Sequence, residues 1–269
     1  MSRPDVSVTA AQLAAVMLAA ADVFRQAAAQ PLESTRKSDG SIVTRVDALV
    51  NEWLHAHLRA LAPAAAWLSE ESVQDPARLQ SDWAWVVDPV DGTKELAAGL
   101  RESTISVGLV EHGRVRAGGV INPFTGLAAV SGTDGSWWQS AEPVEPAEQP
   151  AGRVSVSRTE TADGRLVAMR DLFPPMVSVG SVAYKLLRVA RGIDRMTVSV
   201  QPKSEWDLCG GVALIERQGG VVVRLDGQPL IFNQADPLIP LGMLAGQDRE
   251  VRTVLRGIRE RLGHTEVLK

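Results

Sequence analysis

The sequence predicts an α/β fold in which apolar strands feed into helices, and two stretches carry that prediction. In the first, Trp83-Ala84-Trp85-Val86-Val87 is a short apolar run rich in aromatic and β-branched residues, which reads as a buried strand. It stops at Asp88-Pro89-Val90-Asp91-Gly92-Thr93, and Lys94 to Ala98 then has helix-forming character. A buried strand that ends in carboxylates and re-enters a helix is where open α/β sheets hold their ligands. In the second stretch, from Ser103 to Trp138, β runs alternate with turn signals at 111–114, 122–126 and 133–136, which predicts an antiparallel meander. A chain of 269 residues can bury a large core as one domain or two intimate lobes. The Pro- and Glu-rich stretch at 141–150 is the expected boundary, dividing an N-terminal lobe (1–145) from a C-terminal one (146–269).

The remaining elements follow in order. Thr9 to Gln30 reads as an Ala-rich amphipathic helix stopped by Pro31. The polar loop 34–41 carries Arg36 and Lys37, which either close over an anionic substrate or are simply solvated. A second helix starts at Thr44 and runs to Leu61, with Thr44-Arg45-Val46-Asp47 resembling a capping box. Ala64 to Leu68 is a short strand ending at Ser69-Glu70-Glu71-Ser72. After the meander, strands are expected at Arg153–Ser157, Met176–Val179 and Gly192–Val200, and a helix at Val182–Arg191 with Ser181 as its N-cap. An apolar helix from Leu208 to Gln218 stops at Gly219-Gly220. A hairpin around Asp226-Gly227 (Val221 to Ile231), a strand at Ile239–Leu244 and a charged helix from Arg249 to Leu262 complete the chain.

Composition narrows the function. A net charge of −4 gives no basic footprint for nucleic acid. The apolar run Leu13–Ala21 is too short to span a bilayer, so no membrane partner is expected. The single cysteine, Cys209, excludes an internal disulfide framework and fits a reducing, cytoplasmic setting, where it reads as a small buried hydrophobe. His55 and His57 are two apart on a helix and make no metal pair, and His112 and His264 sit in no catalytic context. The chain has no nucleophile elbow, P-loop or dinucleotide fingerprint.

What stands out is the acids. Glu70, Asp88, Asp91 and Asp207 each lie at the end of an apolar segment or the start of a helix, with no cationic neighbour in sequence. Taken singly, Asp-Pro and Asp-Gly are ordinary turn dipeptides, and Glu70-Glu71 is an ordinary polar loop. Taken together, four converging carboxylates would repel and raise one another's pKa. A hard divalent cation resolves that repulsion, and an all-oxygen set favours Mg²⁺ over Zn²⁺. Two such ions can activate a water and stabilise the leaving oxygen of a phosphate ester. Thr93 is a plausible N-cap, and the backbone N–H groups at Gly92-Thr93 would hold phosphate oxygens.

DPVDGT at 88–93, SEES at 69–72, VTRVD at 43–47 and EWD…GG at 205–220 together resemble the inositol monophosphatase superfamily, in the same order and spacing. That resemblance implies a layered αβαβα sandwich of two intimate lobes and a Mg²⁺-dependent, lithium-sensitive phosphomonoesterase using two to three ions. By position, Glu70, Asp88 and the Val90 carbonyl would bind the first metal, Asp88, Asp91 and Asp207 the second, and a looser third ion would sit near Glu70. Thr93, supported by Asp47, would orient the attacking water, so the catalytic and capping readings of Asp47 compete. Lys37 matches the mobile-loop lysine near the metals. Lys94-Glu95 and Gly180-Ser181-x-x-x-Lys185 resemble the CysQ-type 3′(2′),5′-bisphosphate nucleotidases, in which this segment faces the substrate. Lys185 would then meet a second phosphate, the alternative being a surface helix lysine, and Glu205 would join the substrate contacts. The acidic residue that inositol phosphatases carry seven positions before Asp207 is replaced by Val200. The expected substrate is thus a small phosphate ester, adenosine 3′,5′-bisphosphate before inositol, fructose or histidinol phosphates. A homodimer is compatible with the resemblance, and a non-catalytic metal- or nucleotide-binding module is the reading from a different class.

Overall fold

The computed structural model describes residues 6–32, 34–36, 42–140, 152–173 and 175–266. The helices are α1 (Ala10–Ala28), α2 (Arg45–Leu61), α3 (Thr93–Ala97), α4 (Arg158–Ala162), α5 (Val182–Ala190), α6 (Glu205–Arg217) and α7 (Asp248–Glu266). The strands are β1 (Ser34–Arg36), β2 (Ile42–Thr44), β3 (Ala66–Ser69), β4 (Trp83–Asp91), β5 (Thr104–Glu111), β6 (Arg114–Ile121), β7 (Ala128–Ser131), β8 (Trp137–Gln139), β9 (Val154–Ser157), β10 (Met176–Val179), β11 (Met196–Ser199), β12 (Lys203–Ser204), β13 (Gly220–Arg224), β14 (Leu238–Ile239) and β15 (Met243–Gln247).

Two sheets carry the fold. One has six strands in the order β3-β4-β5-β6-β7-β8, and the other five in the order β10-β9-β11-β15-β13. In the first, β3 and β4 are parallel and every later pair is antiparallel, which is the meander. Side chains alternate across β4: Trp85 and Val87 join the core under α1 and α2, whereas Val86 joins the core shared with α5 and α6. A strand buried on both faces reads as a continuous apolar run, which is why its sequence is so conspicuous. Helices α5 and α6 pack between the two sheets, and Val251, Leu255 and Ile258 of α7 cover the outer face of the second. The layers therefore run αβαβα. Helix α6 approaches the first sheet so closely that a Cβ on Gly210 would stand 2.6 Å from the Gly119 carbonyl oxygen. Cys209 is buried in the same interface.

Caps set the helix starts. The Thr9 hydroxyl accepts the Gln12 N–H at 3.2 Å, and α2 begins at a Thr44–Asp47 capping box. Helix α6 starts at Glu205, three residues before the apolar run that announces it, because the Asp207 carboxylate accepts the Ser204 N–H at 2.9 Å. Near the C-terminus the expectation fails in two places. The expected turn at Asp226-Gly227 forms, but the hairpin after β13 is short, held by the Arg224 N–H to Gln228 carbonyl bond at 3.0 Å and an isolated Val223–Pro229 bridge, with no second strand among the described residues. The expected strand at Ile239–Leu244 is split, because Leu241 (φ 72°) and Gly242 (φ 67°) turn the chain in the left-handed region. Helix α7 is longer than its apolar pattern, starting at Asp248 and ending at Glu266. No helix among the described residues is long and apolar enough to cross a membrane.

Candidate active site

Strand β4 runs on through Asp88-Pro89-Val90-Asp91, beyond the expected end at Val87, with its register against β5 shifting between Asp88 and Asp91. The shift accommodates Pro89, which cannot donate to a ladder. Gly92 (φ 93°) then turns the chain into α3, so Gly92 is the N-cap and Thr93 the first helical residue. Thr93 was expected as the cap. Instead its hydroxyl lies 3.1 Å from Asp47 Oδ1 and 3.0 Å from the Val90 carbonyl oxygen.

Asp88, Asp91 and Asp207 meet: each offers an oxygen, all within 4.8 Å of one another. Each also spends one oxygen on the scaffold, which fixes its orientation. Asp88 Oδ1 accepts the Val90 N–H at 2.9 Å, and Asp207 Oδ2 accepts Ser204 N–H. Asp91 Oδ2 accepts the Ser181 hydroxyl at 2.7 Å and the Ala183 N–H at 2.5 Å, so it caps α5 and ties the two sheets together at the cleft. Asp88 Oδ2 is buried and accepts no hydrogen bond. A buried carboxylate oxygen without a donor is costly unless a cation fills the gap. Among the described residues, no lysine or arginine forms an ion pair with any of the three. An all-carboxylate set with an orphaned oxygen fits a hard divalent cation.

The electrostatics agree. Burial, and then the charges of Glu70, Asp91, Asp207 and Asp47, push the Asp88 pKa well above the usual carboxylate range. Burial and then Asp91 push Asp207 up to about 8. Asp91 is also raised by burial, but the Ser181 and Ala183 hydrogen bonds work against the rise. Glu70 acts on Asp88 and Asp207 and lines the same cleft, though it stands outside the tight group of three.

The cleft, about 240 Å³, is lined by Glu70, Asp88, Val90 to Glu95, Gly180, Ser181 and Lys185, with Lys203 and Asp207. A larger hollow of about 420 Å³ lies under α7 around Leu172, Met196 and Val254, away from the acid cluster. Gly180 donates its N–H to Glu102 at 2.7 Å, and Ser181 holds a positive φ of 52°, strain of the sort that accumulates at functional sites.

Asp47 both caps α2 and contacts Thr93. Its Oδ2 accepts the Thr44 N–H at 2.8 Å and hydroxyl at 2.6 Å as a helix cap, while Oδ1 faces Thr93. Lys185 lines the cleft and is 1% exposed, so the surface-lysine alternative does not hold. Its ammonium donates to the Ser181 and Val179 carbonyls at 2.7 and 3.3 Å, which commits it to bracing the loop that faces the cleft. Glu205 is not a cleft residue. Its carboxylate turns to the backbone N–H groups of Asn233 and Gln234, at 2.5 and 2.8 Å. Lys37 lies outside the described residues. Sequence reasoning missed Lys203, Ser157 and Thr159, which also line the cleft. The nearest signal was that Lys203 stands four residues before Asp207.

A layered αβαβα sandwich with a carboxylate cluster where β4, α5 and α6 meet defines a metal-dependent type of hydrolase site. The inositol monophosphatase family model matches residues 5–254, and the chain belongs to that family, a family of phosphatases. Its relatives include a 3′-phosphoadenosine 5′-phosphate phosphatase of Mycobacterium bovis, 30% identical over 200 residues, covering 72% of this chain and 73% of the relative. A 3′(2′),5′-bisphosphate nucleotidase CysQ of Salmonella typhimurium is 28% identical over 221 residues, covering 80% and 89%. The crystal structure of CysQ from Bacteroides thetaiotaomicron superposes with a TM-score of 0.70 at 21% identity, over 89% of this chain and 97% of that one.

Proposed function

We propose that the chain is a Mg²⁺-dependent 3′(2′),5′-bisphosphate nucleotidase that converts adenosine 3′,5′-bisphosphate to AMP and phosphate. The observation that carries the metal half of this reading is the orphaned, buried Asp88 Oδ2 at the centre of a carboxylate cluster. A relative named as a 3′-phosphoadenosine 5′-phosphate phosphatase and another named as a 3′(2′),5′-bisphosphate nucleotidase support the substrate half. Asp88, Asp91 and Asp207 would hold one Mg²⁺, and Glu70, Asp88 and the Val90 carbonyl a second, with a looser third near Glu70. Bound there, Mg²⁺ would lower the pKa of a water and offset charge on the leaving oxygen.

The chain's own residues do the rest. The Thr93 hydroxyl has one proton and two acceptors in reach, Asp47 Oδ1 and the Val90 carbonyl. Donating it to Asp47 leaves the Thr93 lone pairs to accept a hydrogen bond from the attacking water and orient it. As the water attacks phosphorus, its proton passes to Thr93 Oγ1 and the Thr93 proton to Asp47. Burial, the leading cause, raises the Asp47 pKa and suits it to accept that proton. The bond between phosphorus and the ester oxygen breaks, the leaving oxygen takes a proton from solvent water to give the alcohol, and Asp47 returns its proton to solvent. The Gly92–Thr93 turn and Ser181 flank the phosphate, with Lys185 bracing the loop that carries Ser181. A buried, unpaired Cys209 suits a reducing cytoplasm.

Phosphate release from adenosine 3′,5′-bisphosphate, inositol 1-phosphate, fructose 1,6-bisphosphate and histidinol phosphate, each with and without Mg²⁺, tests the reading. The nucleotide should give the highest kcat/KM, and only with the metal present. A clear preference for any of the other three would overturn the substrate assignment and leave the metal chemistry standing.

A further inference from the structure

Lys203 enters the cleft from β12, four residues before Asp207 and with no counterpart role in the hydrolytic steps above. Its partner is unusual. Glu160, on α4, is 2% exposed, and its Oε1 lies 3.3 Å from Lys203 Nζ. The same carboxylate accepts the Ser199 hydroxyl at 2.5 Å, the Val200 N–H at 3.1 Å and the Gln201 N–H at 3.2 Å. A carboxylate buried this deeply is costly unless fully hydrogen-bonded, and this one is. The three further donors hold Glu160 in place, and Glu160 in turn positions the Lys203 ammonium, which also donates to the Pro202 carbonyl at 3.3 Å. The side chain of Lys203 keeps 13% of its surface exposed. Lys185 is fully buried on backbone carbonyls, whereas Lys203, which lines the same cleft, keeps part of its side chain exposed. Ser157 at the end of β9, Thr159 in α4 and Gly180 after β10 line the same cleft. The second sheet thus adds a held cation and small polar groups to a cleft whose acids come from the ends of β3 and β4 and the start of α6, and the charge of Lys203 bears on Asp91 and Asp207.

We propose that Lys203, held in place by Glu160, reads the phosphate that is not hydrolysed and so makes this site selective for esters carrying two phosphates. The proposal rests on the nucleotidase reading and deepens it, giving the selectivity to Lys203 where Lys185 was expected to supply it. A lysine is a mobile point charge, and anchoring it beforehand removes the entropy cost of meeting a dianion.

The test compares adenosine 3′,5′-bisphosphate with adenosine 3′-monophosphate, which differ only in the second phosphate. In Lys203→Met, which keeps the apolar stem, the KM for the bisphosphate should rise about tenfold or more relative to that for the monophosphate, with the kcat ratio little changed. Lys203→Arg should recover most of the ratio, and Glu160→Gln should give a smaller shift in the same direction. If the two KM values move together, or if half-saturating Mg²⁺ shifts while the ratio holds, Lys203 balances the acid cluster and the proposal falls. If the wild-type protein hydrolyses neither nucleotide, the nucleotidase reading fails, and fructose 1,6-bisphosphate against fructose 1-phosphate measures the same ratio. Absence of a Lys203-dependent ratio in that pair too overturns the proposal independently.

Discussion

Asp88→Asn is expected to abolish turnover, by about a thousandfold or more in kcat, while making the metal-free protein more stable. The two signs come from one atom. Asp88 Oδ2 is buried without a donor, and Asp88 is 1% exposed. Glu70, Asp91, Asp207 and Asp47 all bear on it electrostatically. An asparagine keeps the oxygen that accepts the Val90 N–H and puts an amide N–H₂ where the orphaned oxygen was, surrounded by carboxylates ready to accept. Removing a like charge from a buried cluster is worth about 1–2 kcal/mol, or about 2–8 °C in Tm for a chain of this size. The same change removes a shared ligand of the proposed metal pair. Phosphate release and a thermal melt in EDTA read the two effects. Were Asp88 a purely structural acid, the variant would melt lower and retain activity, which is the reverse pattern.

Stabilisation by Mg²⁺ is expected to grow as pH rises from 6 to 8.5. Burial and Asp91 raise Asp207 to about 8 from an unfolded value of 3.8, and Asp88 is raised too. A group whose folded pKa is raised contributes stability that is complete below its unfolded pKa and disappears as pH climbs through the folded one. The metal-free cluster therefore destabilises the fold progressively between about pH 4 and pH 8. Glu205, lifted by burial to about 7, acts in the same direction. Lys185, lowered by burial to about 8, acts oppositely at higher pH, because its neutral form is the one the fold favours. Subtracting melts in EDTA from melts in Mg²⁺ at each pH removes these two groups and leaves the acids that bind metal. Mg²⁺ competes with protons for those oxygens, so its effect should be small at pH 6. At pH 8.5, with the ion at a hundred times its Kd, it should reach about 2.7 kcal/mol, or about 5–10 °C. An equal shift at both pH values would mean the ion binds away from the raised carboxylates.

Much of the site was legible because its chemistry is local. Asp88 and Asp91 sit on a strand whose burial on both faces writes an apolar run, and the turn after them needs glycine at a positive φ. Thr44 and Asp47 spell a capping box, and the structure adds that the free oxygen of that cap faces Thr93. What could not be read is direction and depth. Glu205 and Asp207 are neighbours on one helix start, and only the docking of the 232–234 turn sends one carboxylate away from the cleft. The Gly180-Ser181-x-x-x-Lys185 resemblance points Lys185 at the cleft, but nothing near it in sequence announces that two carbonyls will bury its ammonium. Glu160 and Lys203 are far apart in the chain, joined by pairing of the second sheet rather than by any motif. The C-terminal strand broke at Leu241, where an aliphatic side chain in the left-handed region gives no warning.

Asp88 and Asp91 from β4 and Asp207 from α6 are proposed to enclose a divalent cation beside the phosphate. The most direct measurement is X-ray diffraction from crystals grown in millimolar Mn²⁺, recorded at the manganese edge, with Mn²⁺ standing in for Mg²⁺. Anomalous density in contact with the carboxylates of Asp88, Asp91 and Asp207 is the predicted result. Manganese bound only elsewhere, or a cluster that stays free of anomalous density at saturation, would contradict it.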